Sequence, residues 1–247
     1  MNVFPHDKVK PFSEEGEKKR QVGEMFDRIA KRYDFMNRFL SAGIDVYWRK
    51  KAIRQLQQND PRIILDVATG TADMAIIACK LLNPVKVIGI DIAEKMLDIG
   101  RQKVEKENLA QKIELQYGDS ETINFPDNTF DAVTVAFGVR NFEDLRKGLQ
   151  EILRVLRPGG RLVIVECTQP ENRLTRKLYN LYVGFVAPEL AKWFNQSKRA
   201  YKYLNDSIRA FPDRQEFVEI LNNVGYSNTS FKTLSLGICC IYCGRKL

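Results

Sequence analysis

The sequence predicts an α/β fold, a mainly parallel sheet with helices on both faces, and three observations carry that prediction. Five largely apolar runs, Arg62–Ala68, Lys86–Ile92, Lys112–Tyr117, Phe130–Phe137 and Arg161–Cys167, recur through the middle of the chain. Helical periods at Thr71–Leu82, Ala93–Glu107 and Phe142–Leu156 separate them, and alternation of this kind builds parallel strands joined by crossover helices. Most of the runs are continuously apolar, as strands covered on both sides must be.

The remaining elements follow in chain order. The opening stretch, MNVFPHDKVKPFSEEGEKKRQ, is polar and has no apolar core of a secretory signal; residues 1–21 are expected to form a flexible lead-in. From Val22 to Leu40, apolar residues recur at three- and four-residue steps (Val22, Met25, Phe26, Ile29, Tyr33, Met36, Phe39, Leu40). That spacing predicts an amphipathic helix, interrupted near Tyr33-Asp34. Gly43 stops it, and VYWRKKAIRQLQ starts a second helix, so that residues 22–58 form a helical extension. RPGGR at Arg157–Arg161 predicts a turn before the fifth strand. Pro170–Ala210 breaks the rhythm with helical segments rich in aromatics (Tyr179, Tyr182, Phe185, Trp193, Phe194, Tyr201, Tyr203), a helical insertion. A helix at Arg214–Asn223 and two β-rich runs, Ser230–Leu236 and Cys239–Gly244 with a break at Gly237, complete the pattern. At 247 residues the chain suits one domain, 22–247, with these additions.

Composition narrows the chemistry. The only histidine, His6, lies in the polar lead-in, which excludes Ser-His-Asp triads, Cys-His dyads and histidine zinc sites. Five cysteines without an export signal suit reduced thiols in a cytoplasm. Cys239, Cys240 and Cys243 read as strand core, since no second Cys/His cluster would complete four metal ligands. The net charge of +8 suits either a solvated basic surface or an anionic partner such as a phospholipid surface. No nucleic-acid signature accompanies it. No run approaches the ~20 apolar residues of a spanning helix.

Ligands of an open parallel sheet bind beyond the carboxyl ends of its strands, near the point where strand order switches. Asp66, Gly70, Thr71, Asp91, Asp119, Ser120, Ala136 and Arg140 all lie at or just past predicted strand ends, and should converge on one rim. The stretch IILDVATGTADMA keeps only Gly70 of the dinucleotide pattern G-x-G-x-x-G, with Ala68 and Ala72 beside it. A pyrophosphate wants open backbone amides at a helix N-terminus. This turn carries Asp66 and Asp73 instead, which suits a cationic ligand with an amino-acid tail. Asp91 is placed to accept both hydroxyls of an adenosine ribose, Asp119 and Ser120 to meet the adenine, and Ile92 and Met96 to give apolar contact. S-adenosylmethionine carries all of these features.

On these motifs, with FDAVTVAFGVRN and LRPGG, the sequence resembles the class I S-adenosylmethionine-dependent methyltransferases. It looks more narrowly like the UbiE/MenG-type C-methyltransferases of ubiquinone and menaquinone biosynthesis. Met25–Arg49, Leu65–Asp73, Phe125–Phe142, Glu151–Glu166 and Tyr201–Asp213 carry the likeness, the segments YDFMN and FGVRN most specifically. It implies a Rossmann-like sheet of seven strands with an antiparallel last strand. It also implies methyl transfer to a ring carbon of a reduced prenylated quinone, demethylmenaquinol, with the ubiquinone-pathway benzoquinol or a non-catalytic binding module of the same fold as alternatives. A phenol has a pKa of about 10 and a nearby cation lowers it, which makes Arg140 the activating residue. Asn141 would hold the ring hydroxyl, with Tyr33, Asp34 and Tyr201 on the substrate side. The amphipathic extension and the basic, aromatic insertion would cover a prenyl chain and touch an anionic membrane surface transiently, making a cytoplasmic protein peripheral to the membrane. The oligomeric state stays open, a homodimer included. Two positions depart from the family: Asp45 where it usually has His, and Ala72 where it usually has Gly. At an ordinary negative φ, Ala72 would leave cofactor binding intact.

Overall fold

The computed structural model describes residues 4–13, 15–181 and 198–247. Its strands are β1 (Ile63–Val67), β2 (Lys86–Asp91), β3 (Ile113–Tyr117), β4 (Phe130–Ala136), β5 (Leu156–Cys167), β6 (Ser227–Leu234) and β7 (Cys239–Arg245). They form one seven-stranded sheet in the order β3-β2-β1-β4-β5-β7-β6. Strands β1 to β5 run parallel, and β7 is antiparallel to both of its neighbours. The mainly parallel sheet with its antiparallel last strand is therefore as the sequence predicts. The helices are α1 (Lys18–Leu40), α2 (Ile44–Ile53), α3 (Asp73–Leu82), α4 (Glu94–Lys106), α5 (Leu145–Val155), α6 (Arg173–Leu181), α7 (Lys198–Ala210) and α8 (Arg214–Val224).

Period-two alternation along the central strands divides their side chains between two helical layers. Leu65, Val67, Val133, Val135, Leu162 and Ile164 pack with Leu149, Ile152, Phe217 and Leu221 of α5 and α8. Ile64, Val87, Ala132, Val163 and Val165 pack with Ile53 of α2 and Met74, Ala75 and Ala78 of α3. Both faces are buried, each large aliphatic side chain contributing about 1.5–3 kcal/mol, and that accounts for the unbroken apolar runs. Cys239, Cys240 and Cys243 lie in β7 and are buried. Because β1 pairs with β2 on one side and β4 on the other, the sheet opens a crevice at their carboxyl ends.

Three features differ from the sequence reading. The RPGG turn is absorbed into β5 as a bulge, between the pairs Phe130↔Leu156 and Ala132↔Arg161. Gly159 has φ +79°, and a Cβ on Gly160 would lie 2.8 Å from the Arg157 carbonyl, so both positions need glycine. Helix α1 begins at Lys18 and runs to Leu40 without the interruption expected at Tyr33-Asp34. The polar lead-in is docked: His6 is fully buried, 5.2 Å edge-on from the Phe211 ring. Lys18 is fully buried too, its Nζ donating to the carbonyls of His6 (2.8 Å), Arg140 (3.1 Å) and Phe142 (2.8 Å). Composition hides this, because two polar side chains do the anchoring. Tyr182, Phe185, Trp193 and Phe194 of the insertion lie outside the described residues.

Burial, with the nearby Lys18 charge, holds the His6 pKa down at about 3, against 6.5 for a free imidazole. The folded protein keeps His6 neutral while the unfolded chain protonates below about 6.5, so this stability is present above pH 6.5 and is lost as pH falls toward 3. Asp66 and Asp91, both pushed up to about 6, act in the opposite direction, so the comparison must be differential. In urea titrations the stability of wild type minus that of His6→Phe should fall by about 1–2 kcal/mol between pH 6.5 and 5. Parallel pH profiles would mean that His6 is not held neutral.

Candidate active site

The crevice contains a cleft of about 70 Å³ lined by Gly70, Asp91, Ile92, Met96, Asp119, Ser120 and Ala136 from the sheet side, and by Lys19, Val22, Phe26 and Tyr33 of α1. Gly70 has φ +56°, and a Cβ there would lie 3.3 Å from Met96 Cε. Asp91 ends β2, its Oδ2 accepting from the Gly70 amide at 2.8 Å and its Oδ1 from that of Ala93 at 2.9 Å. Burial raises its pKa to about 6, offset in part by these amides. Asp119 Oδ1 accepts from the Glu121 amide (2.9 Å), and its Oδ2 takes Lys19 Nζ at 2.6 Å.

Two residues expected at the ligand line neither cavity and are held by protein partners. Asp66 lies beneath the turn, 1 % exposed, and accepts from Thr69 Oγ1 and Thr134 Oγ1, both at 2.6 Å. Thr71 donates to Asp34 and accepts from Lys103 Nζ at 3.1 Å. Asp34, expected at the substrate, lines neither cavity: it is held by Thr71 and by Lys103 (2.7 Å), tying α1 to the turn. A carboxylate and a hydroxyl on adjoining elements satisfy each other when they can, and sequence spacing does not show who is within reach.

The cleft residues fit S-adenosylmethionine. They combine the Asp91 and Asp119 carboxylates with apolar Ile92, Met96 and Phe142, and the positive φ of Gly70 lets backbone approach a ligand. Ala72 has φ +64° rather than the ordinary negative value. Its methyl is buried in the core, and a Cβ added at Gly100 would sit 3.4 Å from it, so this departure stays out of the cleft. Ala68 (φ +54°) and Phe137 (φ +58°) are also left-handed, at the ends of β1 and β4. The rim thus concentrates backbone conformations that cost roughly 1–3 kcal/mol each.

A second, mostly apolar cavity of about 390 Å³ lies beside the cleft. Met25, Ile29, Met36, Leu40, Ile44 and Trp48 of α1 and α2 line it, with Leu204 and Ile208 of α7 opposite. Arg49, Arg140, Asp45, Tyr33, Cys167 and Tyr203 are among its polar lining residues. Phe26, Tyr33 and Phe137 line both cavities, so the two meet there.

Arg140 is 5 % exposed, paired with Glu166 at the end of β5, and donates to the Phe137 carbonyl at 2.7 Å. Burial alone would lower its pKa, but the Glu166 charge raises it above the usual guanidinium value, so it stays charged. Asn141 lines the cleft rather than the apolar cavity; its Nδ2 donates to the Phe137 carbonyl (3.2 Å) and its Oδ1 accepts from Tyr203 at 3.0 Å. Tyr203 of α7 thus reaches the site, and burial raises its pKa above the ordinary phenol value. Tyr201 is on the same helix, but its side chain lies outside the described residues. Asp45 is buried and accepts from Arg38, Arg49 (2.7 Å) and Ser41 (2.9 Å). It anchors guanidinium groups, which the imidazole usual at this position would not do as an anion. Sequence reasoning also missed Lys19, Arg49 and Glu166. Glu166 is the one with a signal, as it closes a strand like the other rim residues.

The order of strands, the ligand-binding rim and the adjoining apolar cavity define a methyltransferase architecture. Solved structures agree on the fold: a methyltransferase of Haloferax volcanii, solved with its Trm112 activator, superimposes with a TM-score of 0.66 at 14 % identity over 89 % of this chain and 96 % of that one. A SAM-dependent methyltransferase of Aquifex aeolicus gives 0.63 at 20 % identity, over 90 % and 98 %. The model of the ubiE/COQ5 methyltransferase family matches residues 14–246, and the chain belongs to that family. A demethylmenaquinone methyltransferase of Bacteroides fragilis is 47 % identical, covering 98 % of this chain and 99 % of its own. A ubiquinone/menaquinone biosynthesis C-methyltransferase UbiE of Geobacter sulfurreducens is 43 % identical, covering 93 % and 90 %.

Lys19 holds the carboxylate that the adenine amino group would use. Removing a partly exposed ion pair of this kind releases about 0.2–1 kcal/mol, so Lys19→Ala should bind S-adenosylmethionine up to about fivefold more tightly by calorimetry. Weaker binding would show that Lys19 contacts the ligand itself. Glu166→Gln leaves the buried Arg140 charge without its partner and should cost about 3–5 kcal/mol in a denaturant titration.

Proposed function

We propose that this chain methylates a ring carbon of demethylmenaquinol, with S-adenosylmethionine as methyl donor, giving menaquinol. One observation carries the reading: a permanently charged, buried Arg140 at the polar end of a large apolar cavity that meets the donor cleft. The names of the related enzymes support the same substrate class. Asp91, Asp119, Ile92 and Met96 would hold S-adenosylmethionine, which when bound supplies an electrophilic methyl on sulfur. Arg140 favours the anionic form of the ring oxygen next to the reacting carbon. The hydroxyl proton leaves to water, and the ring carbon takes the methyl as the carbon–sulfur bond breaks. That carbon then loses its own proton to restore the aromatic ring, and the ring oxygen takes a proton back to give the quinol. Glu166 and the Phe137 carbonyl fix the guanidinium, and Tyr203 fixes Asn141. Phe137 and Tyr33 hold the acceptor ring at the junction, and positioning does most of the remaining work.

The apolar cavity suits the prenyl chain, and its surroundings suit a membrane. Ile44 lines the cavity and is 43 % exposed, beside exposed Phe35, Phe39 and Tyr47 at the corner of α1 and α2. Lys31, Lys50 and Arg54 are exposed on the same two helices and the turn after them. Among the described residues no helix is long and apolar enough to cross a membrane. Aromatics flanked by basic groups suit peripheral contact with an anionic leaflet, which would deliver the substrate on the cytoplasmic side.

A radiolabelled methyl-transfer assay with reduced short-chain demethylmenaquinol and, in parallel, the demethylated benzoquinol tests the reading. Label should enter the naphthoquinol; label in the benzoquinol alone would move the enzyme to the ubiquinone pathway, and label in neither would remove the quinol assignment. Arg140→Lys keeps the charge but loses the planar fork, and should lower kcat about 10²-fold while S-adenosylmethionine still binds. In vesicle sedimentation, Phe35→Ser/Phe39→Ser should lose binding to anionic vesicles and keep activity on the short-chain acceptor.

A further inference from the structure

The polar end of the apolar cavity contains a second buried cation with no task in the reaction as derived so far. Arg49 of α2 lines the cavity and is 4 % exposed. Its Nη1 donates to Asp45 at 2.7 Å, but Asp45 is shared with Arg38 and Ser41. Arg49 Nε is buried and has no hydrogen-bond partner among the described residues, a condition it shares with Arg140 Nε. An unsatisfied buried donor costs about 1–3 kcal/mol, so two such donors on residues lining one cavity are available to acceptor groups of a ligand in it.

Phe137 relates the two cations. Arg140 bonds to its carbonyl at 2.7 Å, and the Arg49 guanidinium stacks over its ring at 4.8 Å. Two guanidiniums therefore approach the junction from different elements, one from the turn after β4 and one from α2. Both charges act on the hydroxyl of Tyr33, which lines both cavities. A reduced 1,4-quinol presents two oxygens on opposite sides of one ring. Only the oxygen beside the reacting carbon needs activating; the other needs recognition.

Resting on the quinol reading, we propose that Arg49 is the specificity residue for that second oxygen: Arg140 takes the oxygen next to the methylated carbon, and Arg49 donates to the oxygen para to it. The enzyme then demands a 1,4-diol, and a monophenol of the same shape leaves Arg49 unanswered. Asp45 keeps the guanidinium oriented, and its carboxylate explains why this chain can hold an arginine here.

The test compares two acceptors in the full-length protein: the reduced short-chain demethylnaphthoquinol, and 3-prenyl-1-naphthol with the same chain, which keeps the reacting carbon and its neighbouring hydroxyl but lacks the second oxygen. A hydrogen bond to a charged group corresponds to about tenfold or more in affinity. Wild type should therefore show a KM for the monophenol about tenfold or more above that for the diol. Arg49→Gln should raise KM for the diol to the monophenol's value, leave the monophenol's KM within about twofold, and leave S-adenosylmethionine affinity unchanged. Arg49→Lys, which preserves the charge beside Asp45 if the glutamine variant does not fold, should fall between them. An equal rise for both acceptors would make Arg49 a purely structural partner of Asp45 and overturn the proposal. Lack of discrimination by wild type would overturn it as well. No label in either acceptor with wild type would instead bring down the quinol reading on which it stands.

Discussion

Asp66 stands where the parallel sheet parts, and the site depends on how this one carboxylate is held. It is the register partner of Thr134 across β1 and β4, accepts that residue's hydroxyl, and accepts Thr69 from the turn that follows β1. Burial is costly for a carboxylate and pushes its pKa to about 6; the two hydroxyls and the Arg49 charge offset that cost. A pinned switch point fixes the Gly70 turn on one side and the end of β4 on the other. From the end of β4 come Phe137, Arg140 and Asn141, so donor cleft and acceptor cavity inherit their relative position from one hydrogen-bonded pair of strands.

A second layer of polar contacts surrounds this centre. Lys103 joins Asp34 of α1 to Asp73 of α3, Arg38 joins Asp73 to Asp45, and Asp45 holds Arg49. The extension α1–α2 is thereby fastened to the nucleotide turn by charge, while its apolar face makes the wall of the acceptor cavity. Lys18 fastens the other end of α1 to the carbonyls of Arg140 and Phe142. Desolvation holds the Lys18 pKa at about 8, and three carbonyl acceptors compensate its burial. Charged groups that a composition count assigns to the surface are here the fasteners between helix and active site.

The rim is largely legible in the sequence. Asp91, Asp119, Ser120, Gly70 and Ala136 line the cleft because strand ends of a parallel sheet share one edge, and strands are visible as apolar runs. Strand-end position puts Asp66 and Thr71 on that edge but does not show the protein partners that hold them, since spacing along a strand says nothing about which neighbour satisfies a side chain. Sequence alone names Tyr201 and not Tyr203, which lines the acceptor cavity and donates to Asn141, because helix phase within the insertion is set by what it packs on. The docked lead-in is illegible for a related reason: its burial rests on His6 and Lys18, two residues whose types predict exposure.

By itself the sequence determined the parallel strands of the sheet, the edge at which the rim residues gather and the chemical class of the methyl donor. Those follow from local periodicity and from residue types at strand ends, which a chain carries wherever it folds. Only the tertiary structure decided which carboxylates remain open to a ligand, that Arg49 and Arg140 share one cavity, and that α1 closes over both sites. Each of these is a contact between residues far apart in the chain, and burial, charge pairing and left-handed backbone at Phe137 exist only once those segments meet.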